Sequence, residues 1–494
     1  MNIINMKKKN LINNLKETEI LAKEVSLIIQ KGDFISLVGP MGSGKTTLSK
    51  YIINSIGEVI QEVTSPTFNL SQTYPTQRSL ITHYDLYRIE NYTDLEEIGF
   101  KEALEEGIVI VEWADKFSHE LPKDRLEIKI EDNGKNKRIA YIKGYGCWKK
   151  RLERNIHLNN FISGCDLKIV NKNWMKGDAS ERSYQRIVTE DNSYVVMNNN
   201  QRKKEINPTK IAENIEAFIL INYYLESLGI KIPRILKIDR KNSFLLLEDL
   251  GNIQYSKINL NDNHVFDYYA PAIESLVLIQ NSQHKKNLKY NGMEHVLNFY
   301  DKDIYLEEVK LLIDWYWPYK KGTLCEINVY KEYTAIWNTL LSKISQSSTL
   351  TLRDFHSPNL LWVNNENGLR RCGIIDFQDA LIGHPLYDLV SLTQDARIDI
   401  SRELETKILN YYNELKYSQA SKNLEINLVQ DYHIIATQRC FKILGVFARL
   451  AMSSKKPEYL LHIPRIIGYI ERNFENKVLK DLKEWFERNF KEEK

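Results

Sequence analysis

The sequence predicts an α/β domain followed by a two-lobed α+β domain, and three observations support this. A glycine-rich loop at residues 39–46 lies between a strand pattern and a helix pattern. Hairpin patterns lie between residues 173 and 247, and the chain beyond residue 260 is almost wholly helical in pattern. With 494 residues, the chain also exceeds the size at which a single hydrophobic core stops growing.

The first domain is predicted to cover residues 1–148. It alternates helix and strand patterns, as expected for a compact α/β unit. The predicted elements, in chain order, are a helix at 15–30, a strand at 34–38, a helix at 45–56, a strand at 79–84, a helix at 94–104, a strand at 107–111 and a hairpin of 125–131 with 137–143.

The second domain is predicted to cover residues 160–494, because the chain changes to glycine and basic residues at 144–154. Its small lobe is expected at about 165–252 and its helical lobe at about 253–494. The small lobe contains β-like runs at 184–188 and 194–197, a helix at 209–228 and a hairpin of 235–238 with 244–247.

Composition excludes several classes of protein. The net charge of +3 is too small to indicate nucleic-acid binding by bulk electrostatics. The five cysteines form no C-x-x-C pair, so we interpret them as reduced thiols. No apolar run reaches the length of a membrane span, roughly 18 residues, so we expect a cytoplasmic protein.

A phosphate-binding loop is predicted where the chain reads Gly39-x-x-x-x-Gly44-Lys45-Thr46. Glycines let such a loop curl so that its amides point inward, and the following helix presents its positive end. In this pattern Lys45 reaches the β- and γ-phosphates of ATP, and the Thr46 hydroxyl binds Mg²⁺. The first domain is therefore predicted to be a P-loop NTPase. The residues expected to bind the nucleotide are Gly39, Gly42, Ser43, Gly44, Lys45, Thr46 and Thr47.

Two carboxylates complete this predicted site. A P-loop requires a carboxylate at the tip of a neighbouring strand. Glu112 follows the apolar run 108–111, and Asp85 follows the run 81–84. Either could hold Mg²⁺, directly or through water, or orient the attacking water.

Four motifs carry a family resemblance over residues 15–145. They are Thr64-Ser-Pro-Thr67-Phe68, His83-Tyr-Asp85-Leu-Tyr87-Arg88, Val111-Glu112-Trp113-Ala-Asp115 and Leu121-Pro-Lys-Asp124-Arg125-Leu126. With the loop, they resemble the TsaE family, small ATPases of bacterial tRNA threonylcarbamoyladenosine synthesis. The resemblance implies that Glu112 is a magnesium ligand, that Asp85 is needed for hydrolysis and that 64–68 form a switch-like segment. It also implies TsaB and TsaD type partners, with tRNA contacted only indirectly.

A second catalytic site is predicted near residues 352–377. Phosphoryl transfer to a hydroxyl needs a base beside the acceptor and metal ions that bridge the phosphates. Asp354 precedes Asn359 by five residues, and Asp376 follows the apolar pair 374–375. In a protein-kinase-like plan, Asp354 is the catalytic base, and Asn359 and Asp376 hold Mg²⁺.

Residues 165–480 carry a second resemblance. It rests on Gly177-Asp178-Ala179-Ser180-x-Arg182-x-Tyr184-x-Arg186, Leu247-Glu248-Asp249-Leu250-Gly251 and the run from Asp376 to Arg397. These resemble the aminoglycoside phosphotransferase-like superfamily, and more closely the kinases that phosphorylate N-acetylmuramate and N-acetylglucosamine at the anomeric hydroxyl. The resemblance implies that Ser180 and Arg182 lie over the phosphates, that Glu248 and Leu250 form a hinge at the adenine and that Asp388 braces the catalytic loop.

Two positions depart from the wider superfamily. Leu352 stands where its catalytic loop has a histidine, and Met197 stands where its small lobe has a phosphate-binding lysine. The amino-sugar kinases share the methionine. We hypothesise that Arg182 or Arg186 replaces the lysine. His356 either contacts the sugar or packs within the loop.

Three functions are consistent with these features. The first is a bifunctional enzyme, a TsaE-like ATPase joined to an anomeric amino-sugar kinase of peptidoglycan recycling. The second replaces the sugar by another small hydroxyl substrate, such as an aminoglycoside, choline or homoserine. The third makes the C-terminal half a non-catalytic module. We favour the first, because the match over residues 376–397 is extended.

Overall fold

The computed structural model describes residues 7–57, 60–76, 78–134, 137–175, 182–199, 215–260, 264–283, 285–417, 422–454 and 456–491. The chain divides into two compact units. The first consists of Met1–Asn200 and Lys237–Leu246, and the second consists of Gln201–Leu236 and Leu247–Lys494.

The N-terminal part of the first unit alternates strands and helices. Its elements are β1 (Lys7–Ile12), α1 (Leu15–Ser26), β2 (Phe34–Val38), α2 (Lys45–Ile56), β3 (Ser71–Pro75), β4 (Leu80–Asp85), α3 (Tyr92–Glu97), α4 (Phe100–Glu106), β5 (Gly107–Glu112), β6 (Arg125–Asp132) and β7 (Arg138–Tyr145). The strands form one sheet in the order β1-β7-β6-β2-β5-β4-β3. The parallel strands β2, β4, β5 and β6 lie at its centre.

The central strands are apolar because both faces of the sheet are covered. All six residues of β5 are buried, and Ile35 and Leu37 of β2 are buried on one face. Val109 and Phe34 pack on the opposite face in a separate core. The sequence of a parallel strand that is buried on both faces is expected to be a continuous apolar run. The strands predicted from such runs, β2, β4 and β5, are confirmed.

The helix predicted at 94–104 is wrong as a single element, because the chain forms α3 and α4 with a break at Gly99. Gly99 has φ +74°, a left-handed conformation that cannot continue a right-handed helix. The apolar spacing of the two short helices resembles one longer helix, and only the glycine marks the break.

The segment predicted to be a domain boundary forms a helix, α5 (Cys147–Ser163). Trp148 at its start is buried in the core of the seven-stranded sheet. Phe161 and Ile162 near its end are buried in another core with Val196 and Phe244. The helix thus contributes to two cores of the first unit, and the domain limits 1–148 and 160–494 stay a prediction.

A second sheet has five strands in the order β11-β12-β10-β9-β8. Its elements, with one intervening helix, are β8 (Ile169–Met175), β9 (Arg182–Thr189), β10 (Ser193–Asn199), α6 (Ile215–Ser227), β11 (Ile235–Asp239) and β12 (Phe244–Glu248). The predicted strand runs and hairpins are confirmed. Residues 209–214 of the predicted helix lie outside the described residues, and α6 begins at Ile215.

The second unit is mainly helical. Its remaining helices are α7 (Val265–Asn281), α8 (Lys302–Leu311), α9 (Trp317–Lys321), α10 (Ile327–Ser342), α11 (Leu386–Thr393), α12 (Arg402–Lys416), α13 (Lys422–Ser453), α14 (Ile463–Asn473) and α15 (Lys480–Phe490). Short antiparallel pairs interrupt them: β13 (Asn287–Tyr290) with β14 (Met293–Val296), β15 (Thr349–Thr351) with β18 (Leu381–Gly383), and β16 (Leu360–Trp362) with β17 (Cys372–Ile374). Within the described ranges, no helix is long and apolar enough to cross a bilayer.

Helix α13 packs closely on α8 at a glycine. A Cβ atom at Gly445 would overlap the carbonyl group of Leu311, whereas a Cβ atom at Gly468 in α14 would meet nothing within 4 Å. We therefore expect Gly445→Ala to lower the free energy of unfolding by about 1–3 kcal/mol through overpacking. Chemical denaturation followed by circular dichroism measures this, with Gly468→Ala as the matched control. Equal denaturation midpoints for the two variants would contradict the prediction.

Candidate active sites

The predicted phosphate-binding loop connects the end of β2 to the start of α2. Gly39, Gly42 and Gly44 have φ values of +151°, +75° and +100°, which side chains other than glycine rarely adopt. A Cβ atom at Gly39 would also overlap the carbonyl oxygen of Ile130. The curled shape of the loop therefore requires glycine at these positions.

Lys45 is buried within this loop. Its Nζ donates to the carbonyl oxygens of Gly39 (2.8 Å) and Pro40 (3.0 Å) and lies 3.6 Å from the centre of the Trp113 ring. Burial lowers the pKa of Lys45, and the Glu112 carboxylate acts in the opposite direction. Its hydrogen-bond partners here are neutral carbonyl groups, which a phosphate group can replace with charge-assisted bonds.

A hydroxyl and a carboxylate meet beside the loop. The Thr46 hydroxyl donates to Glu112 Oε2 at 2.9 Å. His83 Nε2 lies 2.9 Å from Glu112 Oε1, and the Ser49 hydroxyl donates to the same oxygen at 3.4 Å. These oxygen donors fit Mg²⁺, which binds proteins through few carboxylates and retains waters. His83 and Ser49 hold the carboxylate in place, and sequence reasoning assigned them no such role.

Asp85 holds the segment of residues 64–68 at the site. Its Oδ2 accepts hydrogen bonds from the hydroxyls of Ser65 and Thr67, the latter at 2.6 Å. Its Oδ1 accepts one from the backbone N–H of Tyr87 at 3.0 Å. The position of this segment is thus linked to a carboxylate beside the nucleotide loop.

A cavity of about 410 Å³ adjoins these groups. The predicted residues that line it are Gly42, Ser43, Gly44, Lys45, Thr46, Thr47, Asp85 and Glu112. Ser43 Oγ is buried and has no hydrogen-bond partner among the described residues. An orphaned hydroxyl in a glycine-rich cradle fits the binding of a phosphate oxygen.

Arg138 of β7 also lines this cavity, and sequence reasoning missed it. Its Nη2 donates to the carbonyl oxygen of Gly42 at 3.1 Å. The two residues are 96 positions apart and meet because β7 pairs with β6, which pairs with β2. Only the strand order could have indicated this contact.

The second predicted site lies on the loop between β15 and β16. Two buried carboxylates hold this loop. Asp388 of α11 accepts from the backbone N–H groups of Leu352 (2.6 Å) and Arg353 (2.8 Å). Asp395 accepts from the N–H of Ser357 at 2.7 Å. Asp354 is therefore presented by a loop that is fixed on both sides.

Asn359 and Asp376 lie on neighbouring segments next to Asp354. The Asn359 amide nitrogen donates to the carbonyl oxygen of Asp354 at 3.1 Å, and Ile375 N–H donates to the Asn359 carbonyl at 3.0 Å. Asp376 has φ +60°, and its Oδ1 accepts from Gln378 Nε2 at 2.7 Å. The pairing of β16 with β17 thus brings the three predicted residues together, and their oxygen atoms fit Mg²⁺.

Leu352, which departs from the superfamily pattern, acts through its main chain. Its side chain is buried, and its backbone N–H is bound by Asp388. The loop is therefore held without a histidine side chain at this position.

Glu248, predicted at the adenine hinge, is held by two cations. Its Oε1 accepts from Lys231 Nζ at 2.8 Å, and its Oε2 accepts from Arg234 Nε at 3.2 Å. Burial raises the pKa of Glu248, but these hydrogen bonds outweigh it, and the net shift is downward. Leu250 is buried against β17, where a Cβ atom on Gly373 would be 2.8 Å from Leu250 Cδ1. Sequence reasoning missed Lys231.

The predicted phosphate contacts of the small lobe are described only in part. Ser180 lies outside the described residues, and Arg182 is the first residue of β9, opposite Asn199 of β10. Met197 is fully buried opposite Tyr184. The hypothesis that Arg182 or Arg186 binds phosphate in place of a lysine stays a prediction.

Comparison with known families divides the chain in two. Residues 12–140 match the family described as threonylcarbamoyl adenosine biosynthesis protein TsaE. Residues 175–421 match the family described as phosphotransferase enzyme family.

Curated relatives divide in the same way. The N-acetylmuramate/N-acetylglucosamine kinase of Caulobacter vibrioides is 29% identical over 357 residues, which cover 68% of this chain and 96% of the relative. The kinase of the same description from Pseudomonas aeruginosa is 30% identical over 299 residues, covering 60% of this chain and 81% of the relative. The tRNA threonylcarbamoyladenosine biosynthesis protein TsaE of Rickettsia felis is 37% identical over 132 residues, covering 27% of this chain and 77% of the relative.

Proposed function

The chain belongs to the phosphotransferase enzyme family and, in its N-terminal part, to the TsaE family, and on this premise we propose that it is a bifunctional enzyme. One activity is the ATP hydrolysis that supports threonylcarbamoyladenosine formation in tRNA. The other is the ATP-dependent phosphorylation of N-acetylmuramate or N-acetylglucosamine at the anomeric hydroxyl. Both activities use ATP and are assigned to the cytoplasm, where tRNA is modified.

For the ATPase, the proposal is supported by the cavity of about 410 Å³, which is lined by residues of the loop, Lys45 among them, and by two carboxylates. Lys45 and the loop amides bind the phosphates, and Thr46 and Glu112 would hold magnesium. Asp85 orients the attacking water and holds the segment of residues 64–68. Proteins of the TsaB and TsaD type are the proposed partners, and tRNA is contacted only through them.

For the kinase, the proposal rests on the meeting of Asp354 and Asn359, on the loop between β15 and β16, with Asp376, which follows β17. Asp354 takes the proton from the acceptor hydroxyl as that oxygen attacks the γ-phosphorus of ATP, and ADP leaves. Asn359 and Asp376 would hold magnesium, which neutralises charge on the phosphates when bound. Ser180 and Arg182 are proposed to contact the phosphates, and residues 248–250 the adenine.

The nature of the acceptor is proposed from the relatives. Two relatives about 30% identical are described as amino-sugar kinases, and the kinase of Caulobacter vibrioides is matched over 96% of its length. An aminoglycoside, choline or homoserine acceptor is the alternative. A non-catalytic module is not favoured, because all three side chains of the predicted phosphoryl-transfer centre are present on neighbouring segments.

Transfer of radiolabelled phosphate from ATP tests the kinase assignment. We expect label on N-acetylmuramate and N-acetylglucosamine, and none on kanamycin, choline or homoserine, because the chain matches amino-sugar kinases over most of their length. Release of the label by mild acid, as expected for an anomeric phosphate, identifies the hydroxyl. Label on another acceptor would show that the kinase acts on that compound and not on an amino sugar. Label on none of them would contradict the proposed kinase activity.

A further inference from the structure

Arg439 in helix α13 is a buried cation without a bonding partner among the residues that the structure describes. Its side chain is 6% exposed, and it forms no side-chain hydrogen bond or ion pair within the part of the chain that is described. Two partly buried arginines of this unit are paired, in contrast. Arg353 binds Glu308 at 3.0 Å, and Arg472 binds Glu405. Because an unpaired charge is costly to remove from water, the exception at Arg439 requires a physical reason.

Arg439 lies close to the catalytic loop of the kinase. Helix α13 packs against α11, which carries the loop-binding residue Asp388. Burial raises the pKa of Asp388 to about 7, and the positive charge of Arg439 opposes this rise. Burial also lowers the pKa of His356; Asp395 and Asp354 oppose that change, whereas Arg439 and Arg397 add to it. The guanidinium is therefore within electrostatic range of both residues.

The two buried carboxylates that hold the catalytic loop, Asp388 and Asp395, are already engaged. Both oxygens of Asp388 accept backbone N–H groups of the catalytic loop. The oxygens of Asp395 accept from the N–H groups of Ser357 and Arg397, both at 2.7 Å. Asp388 interacts electrostatically with Arg439, but neither acid forms an ion pair with it among the described residues.

A second polar group at this place also has no partner. His356 Nδ1 is buried without a hydrogen-bond partner among the described residues, two positions after Asp354. His356 and Asp388 are each within electrostatic range of both Arg439 and Asp354, the base that receives the acceptor proton. A mostly buried guanidinium without a paired carboxylate among the described residues and an orphaned imidazole nitrogen near the catalytic loop together point to a ligand that supplies the missing acceptors.

We propose that Arg439, together with His356, binds a carboxylate group of the acceptor sugar. The inference rests on the proposed kinase function and deepens it. A guanidinium binds a carboxylate through two parallel hydrogen bonds, a geometry that neutral sugar hydroxyls do not reproduce. N-acetylmuramate carries a carboxylate on its lactyl ether, and N-acetylglucosamine has none. Arg439 is therefore a residue that determines specificity for the anionic sugar.

The test compares kcat/KM for the two sugars in Arg439→Gln. We expect the ratio of kcat/KM for N-acetylmuramate to that for N-acetylglucosamine to fall by about 10- to 100-fold, the loss of a hydrogen-bonded charge pair. The change is expected mainly in KM, and Arg439→Lys should restore part of the ratio. Arg449→Gln is the matched control, since Arg449 is half-buried on the same helix, about 15 Å away along its axis.

A second test changes the substrate and can be read from the wild-type chain alone if the variant does not fold. The methyl ester of N-acetylmuramate keeps the lactyl group but lacks the charge, so the wild-type chain should prefer the free acid by a similar factor, and Arg439→Gln should not. An equal loss for both sugars, or an unchanged ratio, would overturn the inference while the proposed function stands. If Arg439→Gln does not fold, a wild-type chain indifferent to the methyl ester would overturn it. A wild-type chain that phosphorylates neither sugar would overturn the proposed function and this inference with it.

Discussion

Substitution of Lys45 by alanine is expected to lower ATP hydrolysis by the N-terminal site about 10²- to 10³-fold, the usual effect of losing a preorganised charge at a phosphoryl centre. The ammonium group lies inside the glycine loop, and its hydrogen bonds go to the carbonyl oxygens of Gly39 and Pro40, 2.8 Å and 3.0 Å away. These are the contacts that phosphate oxygens replace. Sugar phosphorylation should not change, because Asp354, Asn359 and Asp376 of the kinase centre lie in the other unit.

The two activities are measured separately. ATP hydrolysis by the N-terminal site is compared with and without Lys45→Ala in chains that also carry Asp354→Asn. Transfer of label to sugar is measured in the chain that carries Lys45→Ala alone. Lys50→Ala is the matched control, because Lys50 is an exposed lysine on the same helix, α2. Complementation of a TsaE-depleted bacterium provides a second readout, in which Lys45→Ala should fail and Lys50→Ala should succeed. If Lys45→Ala silenced sugar phosphorylation as well, the two sites would not be independent.

The residues that sequence reasoning brought together are those whose chemistry depends on local spacing. Lys45 follows the loop glycines directly, and Asp354 and Asn359 are five positions apart, so their proximity needs little knowledge of the fold. Asp376 joins them through one short strand pair, β16 with β17. Such sites can be inferred from a single sequence because the connecting chain is too short to place them far apart.

The residues that were missed meet only through tertiary structure. Arg138 reaches Gly42 across two strand pairings. Lys231, in the connection between α6 and β11, reaches Glu248 at the end of β12. Arg439 is a residue of a long helix whose apolar neighbours give it no distinguishing pattern. Its lack of a bonding partner becomes visible only when the surrounding side chains are in place.

Helix α5 was missed for a different reason. Gly144, Gly146 and the basic residues that follow have the composition of a linker, and a boundary was predicted from them. The apolar residues of α5 serve two cores, with Trp148 in one and Phe161 in the other. A helix that divides its apolar residues between two cores presents no single continuous stripe, and its sequence therefore resembles a connection.

Substitution of Asp354 by asparagine is expected to lower sugar phosphorylation about 10²- to 10⁴-fold, the range for loss of a general base. A carboxamide has nearly the same shape but cannot accept the proton of the acceptor hydroxyl at neutral pH. ATP hydrolysis by the N-terminal site should persist. Label transfer to N-acetylglucosamine measures the loss, and Asp303→Asn, which changes an exposed aspartate at the start of α8, is the matched control.

The hydrogen bonds that shape the catalytic loop make this substitution informative. Asn359 and the backbone N–H of His356 both bind the carbonyl oxygen of Asp354, at 3.1 Å and 3.0 Å, and not its carboxylate. The loop bonds to Asp388 likewise involve main-chain groups of its neighbours. Asp354→Asn should therefore keep the loop, the fold and the affinity for ATP while it removes the proton acceptor. Sugar phosphorylation within tenfold of the wild type would show that another group takes the proton.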